Sequence, residues 1–251
     1  MAAAYDSYNY PAYWLNREYE HKSEFLAIKT LLLEIPKLNL ILEVGAGFGR
    51  LLPSYSFRAR KITLSDPSAK LLSIARQTYS GNKKLDFIQS SLENLSDKVK
   101  RRKFDLIIMV RVLHHLENSD DAIKMLSKLL NNNGYLILEF ANKSHLKAIF
   151  SEFFKGNLTF PLDISPKDIS SKKSKKTINL PFVNYHPDAI LHRLKLSGFK
   201  IINKLSVSNI RSSFIKKHIS LETLLWLEKH LQKPFSFFSF GPSIFILAQK
   251  T

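Results

Sequence analysis

The stretch ILEVGAGFGR, Ile41 to Arg50, places glycines at 45, 47 and 49 directly after an apolar run, with one carboxylate, Glu43, just ahead of them. Residues without side chains let the chain turn tightly and let its backbone approach a ligand closely. Between a strand and a helix, such a run is a loop built to hold a nucleotide-containing ligand. A dinucleotide fingerprint needs G-x-G-x-x-G/A, but here the third glycine falls one residue early and Arg50 occupies the expected position.

Glu43 separates the ligand classes further. A carboxylate beside the loop would oppose a pyrophosphate, whereas it suits a ligand carrying an ammonium and a sulfonium, as S-adenosylmethionine (SAM) does. Asp66 ends the next apolar run, KITLSD, and can accept from both ribose hydroxyls of an adenosine. Either cofactor class uses that acid, so it speaks for adenosine alone.

The elements that must position these residues follow from periodicity. LNLILEV, KITLSD, LDFIQ, FDLIIMV and GYLILEF read as strands. FGRLLPSYS, PSAKLLSIARQTY and ENSDDAIKMLSKLL show helical spacing between them. Strand then helix, repeated, implies right-handed crossovers and a mostly parallel sheet covered on both faces. Residues 15–35 read as one amphipathic helix ended by Pro36, and NNNG (131–134) as the close of the helix that Asp120 and Asp121 begin. From 141 to 186 the pattern dissolves into a stretch rich in Lys, Ser and Pro, of the length expected for a lid. Helical spacing returns at 187–198, followed by strands FKIINKLSVS and SIFILAQK.

Composition sets outer limits. With 251 residues, 45% of them hydrophobic, the chain suits a single large domain. Its parts are an N-terminal aromatic and helical lid (1–36), a cofactor-binding core (37–140), a basic lid insertion (141–186) and a C-terminal part (187–251). The absence of cysteine excludes disulfides, thiolate metal sites and cysteine nucleophiles, and no metal site is expected. The net charge of +17 is uneven: residues 1–140 carry 20 bases and 15 acids, residues 141–251 carry 18 and 6. Such a field attracts nucleic acid, anionic lipid or an acidic substrate without choosing among them. The N-terminus lacks a basic n-region and an apolar h-region, and no apolar run approaches the roughly 20 residues of a membrane span. The expectation is a cytoplasmic protein, at most peripheral on the inner membrane face.

As an ordered set, ILEVGAGFGR, ITLSDPS, FIQSSLENL, FDLIIMVRVLHHL and NNNGYLILEF resemble the class I SAM-dependent methyltransferases, in the type 11 group that includes quinone-biosynthesis C-methyltransferases. The resemblance spans about residues 40 to 140. It implies an α/β Rossmann-like fold with a seven-stranded sheet of order 3-2-1-4-5-7-6, strand 7 antiparallel. It also implies that Glu43, Gly45, Ala46 and Gly47 hold the methionine part of SAM, Asp66 with Pro67 the ribose, and Ser91 and Leu92 the adenine. Similar proteins often have an aspartate where Ser91 stands, so Glu93 is a second candidate for the adenine amino group.

The remaining candidates carry two readings each. Tyr13, Trp14 and Arg17 lie in an aromatic N-terminal run, which either closes over the sulfonium and the acceptor or simply packs on the sheet. His114, His115 and Arg111 follow the fourth strand at the edge where ligands bind in such sheets. A histidine there serves as general base or as a loop cap, and Arg111 orients the cofactor or an anionic acceptor, or pairs with a local carboxylate. Tyr185 and His186 reach the acceptor, or form the turn that Pro187 starts a helix from. Segment 209–240, both basic and aromatic, is either a helix lying on a membrane or a cap with its aromatics turned inward, the latter favoured.

The expected activity is methyl transfer from SAM to a small-molecule or lipid-like acceptor in one in-line step. Its rivals are an RNA or DNA methyltransferase using the basic lid, a non-catalytic SAM-binding module and a nicotinamide-dependent oxidoreductase. The Asn/Asp-Pro-Pro-aromatic run of exocyclic base-amine methylation is absent, VRVLHH standing in its place.

Overall fold

Every apolar run listed above becomes a strand. β1 (Leu40–Val44), β2 (Lys61–Asp66), β3 (Leu85–Gln89), β4 (Phe104–Met109) and β5 (Leu130–Ala141) pair in parallel. A two-stranded ribbon, β6 (Lys167–Asp168) with β7 (Val183–Asn184), stands apart from them. β8 (Phe199–Val207) and β9 (Ser243–Lys250) complete the main sheet, β9 running antiparallel to both β5 and β8. The order is β3-β2-β1-β4-β5-β9-β8, which among the seven strands of this sheet is 3-2-1-4-5-7-6 with the seventh antiparallel, as the resemblance implied. The structure, a computed structural model, describes residues 6, 9–170 and 181–251. KKSKK at 172–176 lies outside them.

Both faces are covered, which is why the strands read as continuous apolar runs instead of alternating ones. The helices are α1 (Tyr10–Tyr13), α2 (Glu18–Leu32), α3 (Ala69–Thr78), α4 (Leu92–Lys98), α5 (Ser119–Leu129), α6 (Leu146–Phe153), α7 (Pro187–Leu196), α8 (Ser213–His218) and α9 (Leu221–Phe237). On one face α2 buries Ile28, Leu31 and Leu32 against Ile41, Leu64, Leu106 and Phe245. On the other, α4, α5 and α7 bury Leu95, Ile123, Leu126 and Ile190 against Leu42, Ile107 and Ile246. β1, β2, β4, β5 and β8 all point one way, so the loops after Val44, Asp66, Met109, Ala141 and Val207 leave the same edge of the sheet.

Several local expectations are corrected. The N-terminal helix is α2 alone, preceded by the one-turn α1. FGRLLPSYS forms two single 3₁₀ turns, Leu52–Ser54 and Ser56–Arg58, because Pro53 has no N–H to continue an α-helix. NNNG lies within β5, whose register jumps between Phe104↔Leu130 and Leu106↔Tyr135, so the extra residues form a bulge and not a helix cap. The segment 141–186 is not structureless, since it holds α6 and the β6–β7 ribbon. The inward-facing cap at 209–240 is overturned. α9 packs Leu224, Glu228, Gln232 and Ser236 inward, toward β8 and α2, and leaves Trp226, Phe237 and Phe238 exposed. Among the described residues no helix is long and apolar enough to cross a membrane.

Candidate functional site

Strand β1 delivers the glycine loop to the edge of the sheet. Gly45, Gly47 and Gly49 have φ of 71°, 56° and 77°, the left-handed region that L side chains rarely adopt. Gly45 is needed for packing as well, because an added Cβ would stand 2.1 Å from Val112 Cγ2. Gly47 is different, since its added Cβ would meet nothing nearer than Leu71 and Tyr10 at 3.8 Å, on the wall of a cavity of about 560 Å³. The amides of Gly45 and Ala46 both donate to Ser65 O, at 2.8 and 2.9 Å, tying the loop to β2.

Asp66 faces the loop across this tie. Its Oδ2 accepts from Gly47 N and its Oδ1 from Ser68 N, both at 2.8 Å, which leaves each oxygen of this wall residue further acceptor capacity. Burial pushes its carboxyl up to about 6, against the two amide hydrogen bonds. Pro67 continues the wall, and Ser68 caps α3 through Leu71 N at 3.1 Å. At the start of α4, Ser91 and Glu93 line the cavity while Leu92 is buried beneath them.

Glu43 and Ala46 are not on the cavity wall. Glu43 is buried and accepts a short hydrogen bond from the Tyr55 hydroxyl. Burial drives its carboxyl up to about 7 even against that bond and Arg50. A contact between Glu43 and the cavity therefore runs through the loop and not directly.

The N-terminal aromatics form the next wall, but not with the residues expected. Tyr10 lines the cavity, whereas Tyr13 stacks on Tyr10 at 6.0 Å and takes the Arg17 guanidinium 4.2 Å above its ring. Trp14 is buried between two guanidiniums, Arg50 at 3.6 Å and Arg111 at 4.8 Å from its ring. Both arginines converge on Glu24 of α2: Arg50 NH2 reaches Oε2 at 2.5 Å and Arg111 Nε reaches Oε1 at 2.7 Å. Burial opposes the charge on Glu24, yet the two guanidiniums win and hold its carboxyl below the usual range. Arg111 also lines the cavity, has φ of 60°, and donates its backbone N–H to Glu139 Oε2 at 2.7 Å.

The two histidines after β4 part company. His115 lines the cavity, and its Nδ1 lies 2.8 Å from Pro181 O. A carbonyl only accepts, so Nδ1 carries the proton and Nε2 is the acceptor nitrogen of the neutral ring. Burial lowers its pKa, which keeps the ring neutral. His114 is not on the cavity wall: it is buried and packs between His115 and Phe182, with ring centroids 4.1 and 4.4 Å away, its pKa far below the ordinary value through burial.

Tyr185 and His186 are not brought to the cavity. Tyr185 is buried against the 3₁₀ turn Leu113–His115, with its hydroxyl 3.5 Å from Leu113 O. His186 caps α7: its Nδ1 accepts from Asp188 N at 3.2 Å, and its Nε2 donates to Pro161 O at 3.1 Å. With both ring nitrogens engaged, it forms the helix-start turn. Trp14 is likewise off the wall, held by the arginines.

Sequence reasoning missed Tyr10, Val112, Glu117, Asn118, Asp121 and Met125, all of which line the cavity. The one available signal was Asn118. As N-cap of α5 it accepts from Asp120 N and Asp121 N at 3.0 and 3.2 Å, so its position at the ligand edge was legible.

The wall suits an adenosine-bearing sulfonium cofactor. It combines a side-chain-free backbone approach, a carboxylate with acceptor capacity to spare, an aromatic ring and a volume within the ~300–1,000 Å³ of small-molecule sites. Residues 42–136 match the family described as methyltransferase domain. The chain is 26% identical over 186 residues to the ubiquinone biosynthesis O-methyltransferase of Pelagibacter ubique, covering 70% of this chain and 74% of that one. It is 24% identical over 221 residues to the tRNA 5-carboxymethoxyuridine methyltransferase of Escherichia coli, covering 86% and 81%. Its fold is shared with a SAM-dependent methyltransferase of Thermotoga maritima, at a TM-score of 0.62, 18% identity and 99% coverage of both chains. The strand order, the glycine loop and these likenesses agree: the fold is that of the class I methyltransferases, and together they support a SAM-dependent methyltransferase.

Proposed function

We propose that the enzyme methylates a hydroxyl of a small, largely uncharged acceptor, with His115 as general base. The observation that carries this reading is the tautomer of His115. Pro181 O holds the proton on Nδ1, and the residue lines the cavity, so Nε2 is the nitrogen that takes the hydroxyl proton as the oxygen becomes nucleophilic. SAM supplies the electrophilic methyl group and leaves as neutral S-adenosylhomocysteine.

In this reading Gly45 and Gly47 give backbone access to the methionine part, Asp66 takes the ribose hydroxyls, and Ser91 or Glu93 meets the adenine. Tyr10 presents its ring to the sulfonium. Arg111, anchored by Glu24, orients the carboxylate of the methionine part. The protein's contribution is mostly positioning of two reactants with water excluded. Among the described residues, four carboxylates, Asp66, Glu93, Glu117 and Asp121, share the wall with one guanidinium, that of Arg111, which disfavours a polyanion as acceptor. The relative that acts in ubiquinone biosynthesis supports an oxygen acceptor.

A second reading, methylation of RNA, is favoured by the net charge of +17 and by the likeness to the E. coli tRNA enzyme. Transfer of labelled methyl into fractionated extract from the source cells, with Asp66→Asn as control, decides between them. Label in small molecules or lipid, together with His115→Gln slowing kcat at least a hundredfold and SAM affinity unchanged, is the expected result. Label in RNA overturns the choice of acceptor, and an unchanged kcat in His115→Gln removes the base.

A further inference from the structure

The shelf formed by residues 143–168 is firmly tied and yet presents apolar side chains to solvent. Lys143, itself buried, donates to Asp163 O, Asp163 Oδ2 and Ser165 O at 2.8, 2.6 and 2.8 Å. Glu152 takes Lys155 and Lys167 at 3.2 and 3.4 Å, and Phe160 is buried with the Lys143 and Lys167 ammonium groups 5.3 and 5.2 Å from its ring. Leu146 N joins the shelf to Phe240 O at 3.0 Å.

Despite these ties, α6 contributes no buried residue to the core. Phe150, Phe153, Phe154, Leu158 and Leu162 are exposed, Phe154 to 82% and Leu162 to 81%. Loose packing does not explain the exposure, because the element is held at both ends and across its middle. Scattered single apolar residues are ordinary on a surface, whereas a cluster of this density marks a contact.

The position of the shelf narrows the contact. α6 follows β5 and α8 follows β8, and both strands point to the edge that carries the glycine loop and Asp66. The segment that carries α8 leaves this same edge after Val207. That segment adds Phe214, 70% exposed, with Arg211 and Lys217, while Lys216 is paired with Glu20, and residues 209–221 contain no acid. Exposed aromatic and aliphatic side chains fringed by Lys and Arg are the composition of an element that lies in a bilayer interface. Two copies of a chain with net charge +17 repel each other, and Leu158 and Leu162 offer a phosphate backbone nothing, so an anionic lipid surface is the occupant that both the charge and the apolar groups fit.

We propose that α6 with the turn after it, assisted by α8, docks the enzyme on an anionic lipid bilayer with the cavity edge toward the membrane. The inference does not depend on which acceptor is methylated. It also shifts the centre of the contact from segment 209–240, for which the sequence offers a membrane reading beside the cap, to the shelf.

The test is flotation of the full-length protein with vesicles of phosphatidylcholine alone and of phosphatidylcholine with phosphatidylglycerol. The comparison is wild type against the double variant Phe153→Ser/Phe154→Ser. Expected is at least tenfold tighter binding to the anionic vesicles, reduced tenfold or more in the variant, while its thermal midpoint and its calorimetric SAM affinity stay at wild type. Equal binding of variant and wild type overturns the proposal, as does failure to bind anionic vesicles. Concentration-dependent dimers in light scattering that the variant abolishes assign the shelf to a second copy instead. RNA binding weakened by the same variant assigns it to nucleic acid.

Discussion

Arg111 Nε lies 2.7 Å from Oε1 of Glu24, joining the carboxyl end of β4 to the middle of α2 across 87 residues of sequence. The same carboxylate holds Arg50, from the end of the glycine loop. One buried acid therefore fixes the N-terminal helix, the cofactor loop and a wall residue of the cavity relative to each other.

Replacing Glu24 by Gln leaves two guanidiniums facing a neutral amide. Removing one partner of a buried ionic cluster costs about 3–5 kcal/mol, and the expected loss is at the lower end because Arg111 keeps Glu139 nearby. Urea unfolding measures it. Lys22→Ala, which breaks the exposed Lys22–Glu18 pair, is the comparison and costs less than about 1 kcal/mol.

Gly45→Ala and Gly47→Ala separate folding from binding. Both residues have positive φ, so each alanine costs roughly 1–2 kcal/mol of backbone strain. At Gly45 the methyl also collides with Val112, and thermal stability falls further. At Gly47 the methyl enters open cavity, so the unfolding midpoint drops less while SAM affinity falls by at least tenfold in calorimetry.

SAM affinity weakens below about pH 6. The Asp66 carboxyl, raised to about 6 by burial, accepts from ribose hydroxyls best when ionised. As pH falls through that value the proton occupies an acceptor position, and affinity drops by up to tenfold per unit. Titrations at pH 7.5 and 5 show the drop in wild type, and Asp66→Asn, already weak, shows little further change.

Glu43 makes the protein less stable as pH rises. Its carboxyl stands near 7 in the fold through burial, against an ordinary value of 4.5, so the folded state holds a proton that the unfolded chain gives up. That stabilisation is complete below about 4.5 and lost as pH rises through 7, a difference on the order of 3 kcal/mol. Glu43→Gln abolishes this component, so its denaturation midpoints at pH 5 and pH 8 lie closer together than those of wild type.

The strands and the glycine loop were legible because parallel strands buried on both faces need unbroken apolar runs, and because a loop at positive φ needs glycine at fixed spacing. Asp66, Pro67 and Ser91 reach the cavity since Asp66 ends β2 and the other two come just after their strands, at the edge where the chain turns. Those are local rules, and a local pattern carries them.

What the sequence could not decide was where side chains with two physically sound readings would point. Glu43 turns to Tyr55, Trp14 goes between Arg50 and Arg111, and Tyr185 and His186 settle against Leu113 and Pro161. Each outcome is set by partners distant along the chain. Tyr10 reaches the cavity for the same reason, because Glu24 and its two arginines hold the N-terminal helices over the loop. Sequence alone thus determined the sheet and the backbone that approaches the ligand. The walls of the cavity, and the choice of His115 over His114, were decided by contacts that exist only once distant elements have packed.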